Sequence, residues 1–166
     1  MIFLTLGTQE PFDRLVRAVD DWCAATGRGT DLFGQITERA GYRPKHFEWV
    51  ASLPPALHRQ RCSEAEFIVS HAGMGSIITA MSYGKPIVIL PRRADLKEHR
   101  NDHQQATARR LGGRPGLLVA QTESDLPPLL DRLVAGEAAN DASALSPFAD
   151  QGLIDALTAF IHGGHR

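Results

Sequence analysis

Two glycine-rich segments contain the residues of this chain that are best suited to bind an anion. The stronger one, HAGMGS at 71–76, follows the apolar run 67–70 and precedes apolar residues at helical spacing. Such a turn exposes backbone N–H groups at the positive end of a helix dipole, where phosphate is the anion usually bound. We predict a phosphate site here, with His71 either donating to phosphate or fixing the turn. The predicted N–H donors are those of Gly73, Met74, Gly75 and Ser76.

A second glycine turn follows the first apolar run of the chain. Gly7 and Thr8 come directly after residues 2–6, so that their N–H groups and the Thr8 hydroxyl are available to an anion. Either turn has a simpler alternative reading: an ordinary tight strand-to-helix turn at Gly7, and glycines needed only for close helix–strand packing at 73 and 75.

Apolar runs that read as strands alternate with helical patterns along most of the chain. The predicted strands are 2–6, 32–36, 47–50, 67–70, 87–90 and 116–120. A helix starting at Pro11 has apolar residues at helical spacing that should face the sheet, and Gly84 suits a helix C-terminus. The alternation predicts an α/β fold with a doubly wound parallel sheet, in which ligands bind beyond the carboxyl ends of the strands. Both glycine turns belong on that edge.

Length and composition restrict the class of protein. A chain of 166 residues with 43% hydrophobic residues predicts a single domain, 1–166, with a flexible loop at about 136–149 and a last helix at about 150–162. The net charge of −1 gives no electrostatic case for nucleic acid or anionic lipid. The two cysteines lack metal or redox spacing, no run approaches the roughly 18 residues of a membrane span, and the N-terminus reads as a strand. We expect a cytoplasmic protein without direct membrane insertion.

A polar segment precedes and opens the helix after the fifth predicted strand. Its side-chain amides both donate and accept hydrogen bonds, which suits sugar hydroxyls, although a solvated helix start has the same composition. His99 and His103 stand four residues apart, as zinc ligands on a helix can, but no third ligand is apparent and no metal is expected.

These motifs together resemble a known family. HAGMGS, GKPIVILPR and HRNDHQ, in this order, resemble the C-terminal, donor-binding domain of GT-B glycosyltransferases of the family 28 type. The similarity is greatest to PssE-like small catalytic subunits of split exopolysaccharide glycosyltransferases, and it extends from Ile2 to about Val119. It implies a six-stranded Rossmann-like half-domain that uses a UDP-sugar as substrate and needs neither cofactor nor metal.

The resemblance also assigns roles to individual positions. It implies donor diphosphate binding at Gly7, Thr8 and the 71–76 turn, and contact of the nucleoside with the backbone at Trp49 and Val50. Thr79 occupies the position of a ribose-binding glutamate, so that one hydroxyl replaces a carboxylate. The donor sugar should contact Asp102, His103, Gln104 and Gln105, with Gln104 as the main candidate. Arg92, Arg93 and Lys97 are expected to be partly solvated loop charges, and one of the two arginines would pair with a uronate carboxylate if the donor is UDP-glucuronate.

The catalytic base is not identifiable in this sequence. The resemblance places the acceptor site and the base in another half, which implies a membrane-anchored, acceptor-binding partner subunit. The predicted function is transfer of a sugar from a UDP-sugar to a lipid-linked acceptor, and the chain is expected to be inactive without that partner. A non-catalytic nucleotide-binding or regulatory module is the alternative. An oxidoreductase would need GxGxxG after the first strand, and a UDP-GlcNAc 2-epimerase would need both halves and several carboxylates.

Overall fold

A computed structural model describes residues 1–7 and 10–137, together with positions 155 and 158. Its single sheet is entirely parallel, with the strand order 3-2-1-4-5-6. The strands are β1 (Ile2–Thr5), β2 (Leu32–Gln35), β3 (Glu48–Val50), β4 (Phe67–His71), β5 (Ile87–Leu90) and β6 (Leu117–Val119). This is the predicted α/β doubly wound fold, because the chain winds outwards from β1 to one edge and then from β4 to the other.

Helices cover both faces of the sheet. They are α1 (Asp13–Thr26), α2 (Pro55–Glu64), α3 (Met74–Ser82), α4 (His103–Leu111) and α5 (Leu126–Val134). One apolar cluster joins the sheet to α1 and α5, and the other joins it to α2, α3 and α4. The apolar residues of α1 that were expected to face the sheet are all buried, and Gly84 has the expected left-handed conformation at φ 60°.

Several helix boundaries differ from the prediction. Helix α1 begins at Asp13, because Phe12 has a non-helical backbone conformation and places its fully buried ring in the core ahead of the helix. Helix α4 begins only at His103, so that His99 lies in the preceding turn. All of the predicted helix at 150–162 except the helical positions 155 and 158, and nearly all of the predicted loop at 136–149, lie outside the described residues.

The reversal of strand order places the two glycine turns side by side. Thr5 of β1 pairs with Ser70 of β4, so that Gly7 and His71 leave adjacent strands at the same edge. Gly7 has φ 74°, a left-handed conformation that favours glycine and turns the chain sharply beyond β1. None of the helices in the described part of the chain is long and apolar enough to cross a membrane.

Candidate active site

A cavity of about 450 Å³ lies at the switch point, beyond the carboxyl ends of β1, β2 and β4. Five residues predicted from the sequence line it: Gly7, His71, Gly75, Ser76 and Thr79. The two glycine turns therefore meet in one cavity, as expected from parallel strands that end at a common edge.

Six further lining residues were not predicted. They come from β1, from the end of β2 and from the start of α2: Thr5, Gln35, Leu53, Pro55, His58 and Arg59. A polar residue at the carboxyl end of a strand was the available signal for Gln35. The residues of α2 carried no such signal, because only the tertiary fold brings the start of this helix beside α3.

The cavity is suited to an anion. Gly75 and Ser76 come from the first turn of α3 and Pro55 begins α2, so that two helix N-termini contribute to the wall. The N–H groups of a first helical turn have no acceptor within the helix and lie at the positive end of its dipole. Of the described lining residues none is acidic, and Arg59 adds a positive charge. A diphosphate fits this electrostatic environment.

The hydrogen-bond partners of His71 determine its tautomer. The Ser70 hydroxyl donates its single hydrogen to the carbonyl oxygen of Thr5 over 2.6 Å. The 3.2 Å contact between Ser70 Oγ and Nδ1 of His71 therefore requires the imidazole hydrogen on Nδ1. Burial, followed by the charges of Arg92 and His99, lowers the pKa of His71 to about 4. At neutral pH the ring is therefore uncharged, and Nε2 carries a lone pair instead of a hydrogen.

This tautomer predicts that diphosphate binding consumes a proton. Nε2 can donate to a phosphate oxygen only if the ring becomes imidazolium, so the affinity should rise as the pH falls, by up to about tenfold per pH unit. We expect this for UDP-glucose between pH 8 and pH 6 by calorimetry. His71→Gln, which keeps a neutral N–H donor, should show a nearly flat profile. Equal pH dependence in both proteins would exclude proton uptake at His71.

Two further residues of the predicted diphosphate site, Gly73 and Met74, are not among the residues that line the cavity. Gly73 is the extended residue before α3, and a Cβ added there would lie 2.2 Å from Nε2 of His71. Glycine is therefore needed at 73 to make room for the imidazole. Met74 begins α3 with its side chain 48% exposed, and Thr8 lies outside the described residues.

The predicted nucleoside contacts are spread over two places. Trp49 packs against the core beneath the guanidinium of Arg43, 4.9 Å from the ring centroid, and the carbonyl of Val50 accepts from the N–H of Ile36. Neither Trp49 nor Val50 lines the cavity, whereas Thr79 does. The Thr79 hydroxyl donates to the carbonyl of Gly75 over 2.7 Å, which leaves it able to accept but not to donate.

The predicted sugar-binding segment forms its own hydrogen-bond network. Gln104 is only 3% exposed, and its Oε1 accepts from the backbone N–H of Arg92. Asp102 Oδ1 accepts from the N–H of Ala94 and from Nε2 of Gln105. His103 contacts the side chain of Asn101 and remains exposed. Sugar contacts by these residues stay a prediction, and the exposed ones are the more accessible.

Arg92 is not the partly solvated loop charge expected from the sequence. Its side chain is buried and donates to the backbone carbonyls of Glu10, Pro11 and Glu98. The ring of Phe12 lies 4.6 Å below the guanidinium. Carbonyl oxygens and an aromatic face stabilise the buried cation, which therefore is not placed to pair with a carboxylate of the ligand.

His99 and His103 are neighbours, but they do not extend into a metal site. Their ring centroids lie 4.5 Å apart in an edge-to-face arrangement. Among the described residues no group of three metal-ligating side chains comes together.

Comparisons with solved structures show the same fold in larger proteins. The glycosyltransferase of kitacinnamycin is 22% identical, with a TM-score of 0.62, over 85% of this chain and 37% of that protein. UDP-glucose:anthocyanidin 3-O-glucosyltransferase, solved in complex with UDP, is 18% identical with a TM-score of 0.62, and the match covers 85% of this chain and 33% of that protein. A putative UDP-N-acetylglucosamine 2-epimerase from Listeria monocytogenes is 13% identical with a TM-score of 0.61, and the match covers 99% of this chain and 46% of that protein. The chain thus spans about a third to a half of these proteins.

The family model described as the glycosyltransferase family 28 C-terminal domain matches residues 1–152. This match includes every strand of the sheet, both glycine turns and the polar segment before α4. The chain belongs to the glycosyltransferase family 28 C-terminal domain family.

Proposed function

We propose that this chain is the donor-binding subunit of a two-chain glycosyltransferase that uses a UDP-sugar. The observation on which the proposal depends is the cavity at the switch point, where two glycine turns and two helix N-termini converge and the described lining residues include no acid. The family match and the UDP in the structure of the anthocyanidin glucosyltransferase support uridine diphosphate as the ligand.

The cavity supplies stabilisation of the leaving group. Transfer of the sugar leaves negative charge on the diphosphate, which N–H groups at the start of α3 and an imidazolium at His71 would stabilise. Because these groups are fixed by the fold, they need no reorganisation during the reaction. The imidazolium would form when Nε2 of the neutral His71, whose hydrogen is on Nδ1, takes up a proton.

The partner subunit is proposed from the resemblance of the motifs to the small subunits of split glycosyltransferases. The described residues that line the cavity include no carboxylate that would deprotonate an acceptor hydroxyl. We propose a membrane-anchored partner that provides the acceptor site and the general base, and recruits this cytoplasmic chain to the membrane. The acceptor would be a lipid-linked sugar in exopolysaccharide synthesis, with UDP-glucuronate as a candidate donor recognised through Arg93.

Reconstitution tests this function. The purified chain should transfer no sugar from a radiolabelled UDP-sugar to lipid. Addition of membranes that contain the proposed partner subunit, sought among the products of neighbouring genes, should produce labelled lipid. Gln105→Ala should lower transfer several-fold with little change in UDP affinity, because its partly exposed amide is predicted to contact the sugar. For Gln104→Ala the free energy of unfolding is measured as well, because Gln104 is buried and its Oε1 accepts from the N–H of Arg92.

Two outcomes would change the interpretation. Robust transfer by the chain alone would exclude the two-chain enzyme. Binding of UDP without transfer under any combination of chains and donors would favour the alternative, a non-catalytic nucleotide-binding or regulatory module.

A further inference from the structure

Gln35 is a buried amide on the wall of the cavity. It ends β2, lines the cavity and is only 2% exposed. Its Nε2 donates to the carbonyl oxygen of Gly7 over 3.3 Å. Because a carbonyl can only accept, the amide must present its NH₂ group to Gly7, which fixes its orientation.

The other end of this amide has no partner among the described residues. Oε1 of Gln35 is buried and forms no hydrogen bond with any described residue. Buried carbonyl oxygens are nearly always paired, and one that is left unpaired costs free energy. An unpaired acceptor on a cavity wall is explained if the ligand brings the hydrogen.

The chemistry of the proposed ligand limits which part can supply that hydrogen. A diphosphate bound near neutral pH carries acceptor oxygens almost exclusively, so it cannot satisfy Oε1. Hydroxyl groups can, and a UDP-sugar has them next to the phosphates on both the ribose and the sugar. The residues predicted to contact the sugar do not line this cavity, which favours the ribose. Thr79, also on the wall, has already used its hydrogen on Gly75 and is left only to accept.

We propose that Gln35 is a specificity-determining residue of this cavity, whose Oε1 accepts a hydrogen bond from a ribose hydroxyl of the bound nucleoside diphosphate. The inference depends on the proposed function, because it presupposes a nucleotide in the cavity. It assigns ribose recognition to β2, whereas the resemblance implied α3 alone. The bond from Nε2 to Gly7 also couples the ribose contact to the first glycine turn.

Calorimetry with UDP, 2′-deoxy-UDP and 3′-deoxy-UDP tests this assignment. The wild-type chain should bind UDP about tenfold more tightly than one of the two deoxy analogues, as expected for one buried hydrogen bond. Gln35→Met keeps the length of the side chain but removes the acceptor, so the ratio should fall below about two. Thr79→Val is the matched control, because Thr79 also lines the cavity, and it should keep most of the ratio. Gln35→Met also removes the bond from Nε2 to Gly7. Pyrophosphate, which has no ribose, reports on that loss separately, and its affinity should fall less in Gln35→Met than the affinity for UDP does.

The outcomes separate this inference from the proposed function. Failure of the wild-type chain to bind UDP would overturn both. Equal binding of UDP and both analogues by wild type would overturn the ribose contact while leaving a UDP site. Full discrimination in Gln35→Met would exclude Gln35. If Gln35→Met does not fold, the comparison of wild type with Thr79→Val tests the proposal. Loss of the preference for UDP over the deoxy analogue in Thr79→Val would assign the ribose contact to Thr79 instead.

Discussion

Replacing Gly75 by isoleucine should weaken UDP binding by at least about 100-fold and leave the melting temperature of the chain close to that of wild type. Gly75 lines the cavity in the first turn of α3, and a Cβ added there meets nothing within 4 Å. Its backbone lies in a helix, where isoleucine is tolerated better than glycine. The added side chain would therefore occupy the space in front of the free N–H groups without disturbing the core, and the loss of several charge-assisted hydrogen bonds accounts for the size of the effect.

Two alanine variants serve as matched controls for this prediction. Gly75→Ala adds one methyl group in open space, so its effect on UDP affinity should be small. Gly73→Ala adds the same methyl group 2.2 Å from Nε2 of His71 and must displace that ring, so it should weaken UDP binding clearly more than Gly75→Ala does. Calorimetry measures the affinities, and thermal unfolding measures stability. Unchanged affinity in Gly75→Ile would mean that the ligand does not occupy this cavity.

The parts of the site that follow from local chemistry could be predicted from the sequence. Gly7 and Gly73 mark turns that follow strands, and in a parallel sheet such turns must lie at one edge, so their meeting needs only the alternation of strands and helices. Thr79 lies one helical turn after Gly75, which is enough to place it on the same wall.

The parts that depend on contacts between distant segments could not. Arg92 is bonded to backbone carbonyls 81 and 82 residues earlier in the chain, and carbonyl groups leave no mark in a sequence. An arginine beside a second arginine in a polar loop therefore looked solvated. Gln35 was missed for a related reason: that its Oε1 has no partner among the described residues is visible only in the folded chain.

Arg92 connects the loop after β1 with the loop after β5. Its guanidinium donates to the carbonyls of Glu10 and Pro11, in the loop after β1, and to that of Glu98, in the loop after β5. The same loops contain Gly7 and the polar segment predicted to contact the sugar. Burial lowers the pKa of Arg92 to about 10, so the side chain is still a cation at neutral pH and bonds these carbonyls as a charged donor.

Removing this connection should destabilise the chain by about 3 kcal/mol, because three carbonyl groups lose a charged donor. Arg92→Met keeps the aliphatic length of the side chain and its packing on Phe12, so the loss reports mainly on the hydrogen bonds. UDP affinity should also fall, since the loop containing Gly7 loses its attachment. Arg93→Met is the matched control, because Arg93 is paired at the surface with Asp95 and its removal should leave the unfolding free energy within measurement error. Denaturant unfolding measures the stability of both variants. Equal unfolding free energies for Arg92→Met and Arg93→Met would show that Arg92 does not hold these loops together.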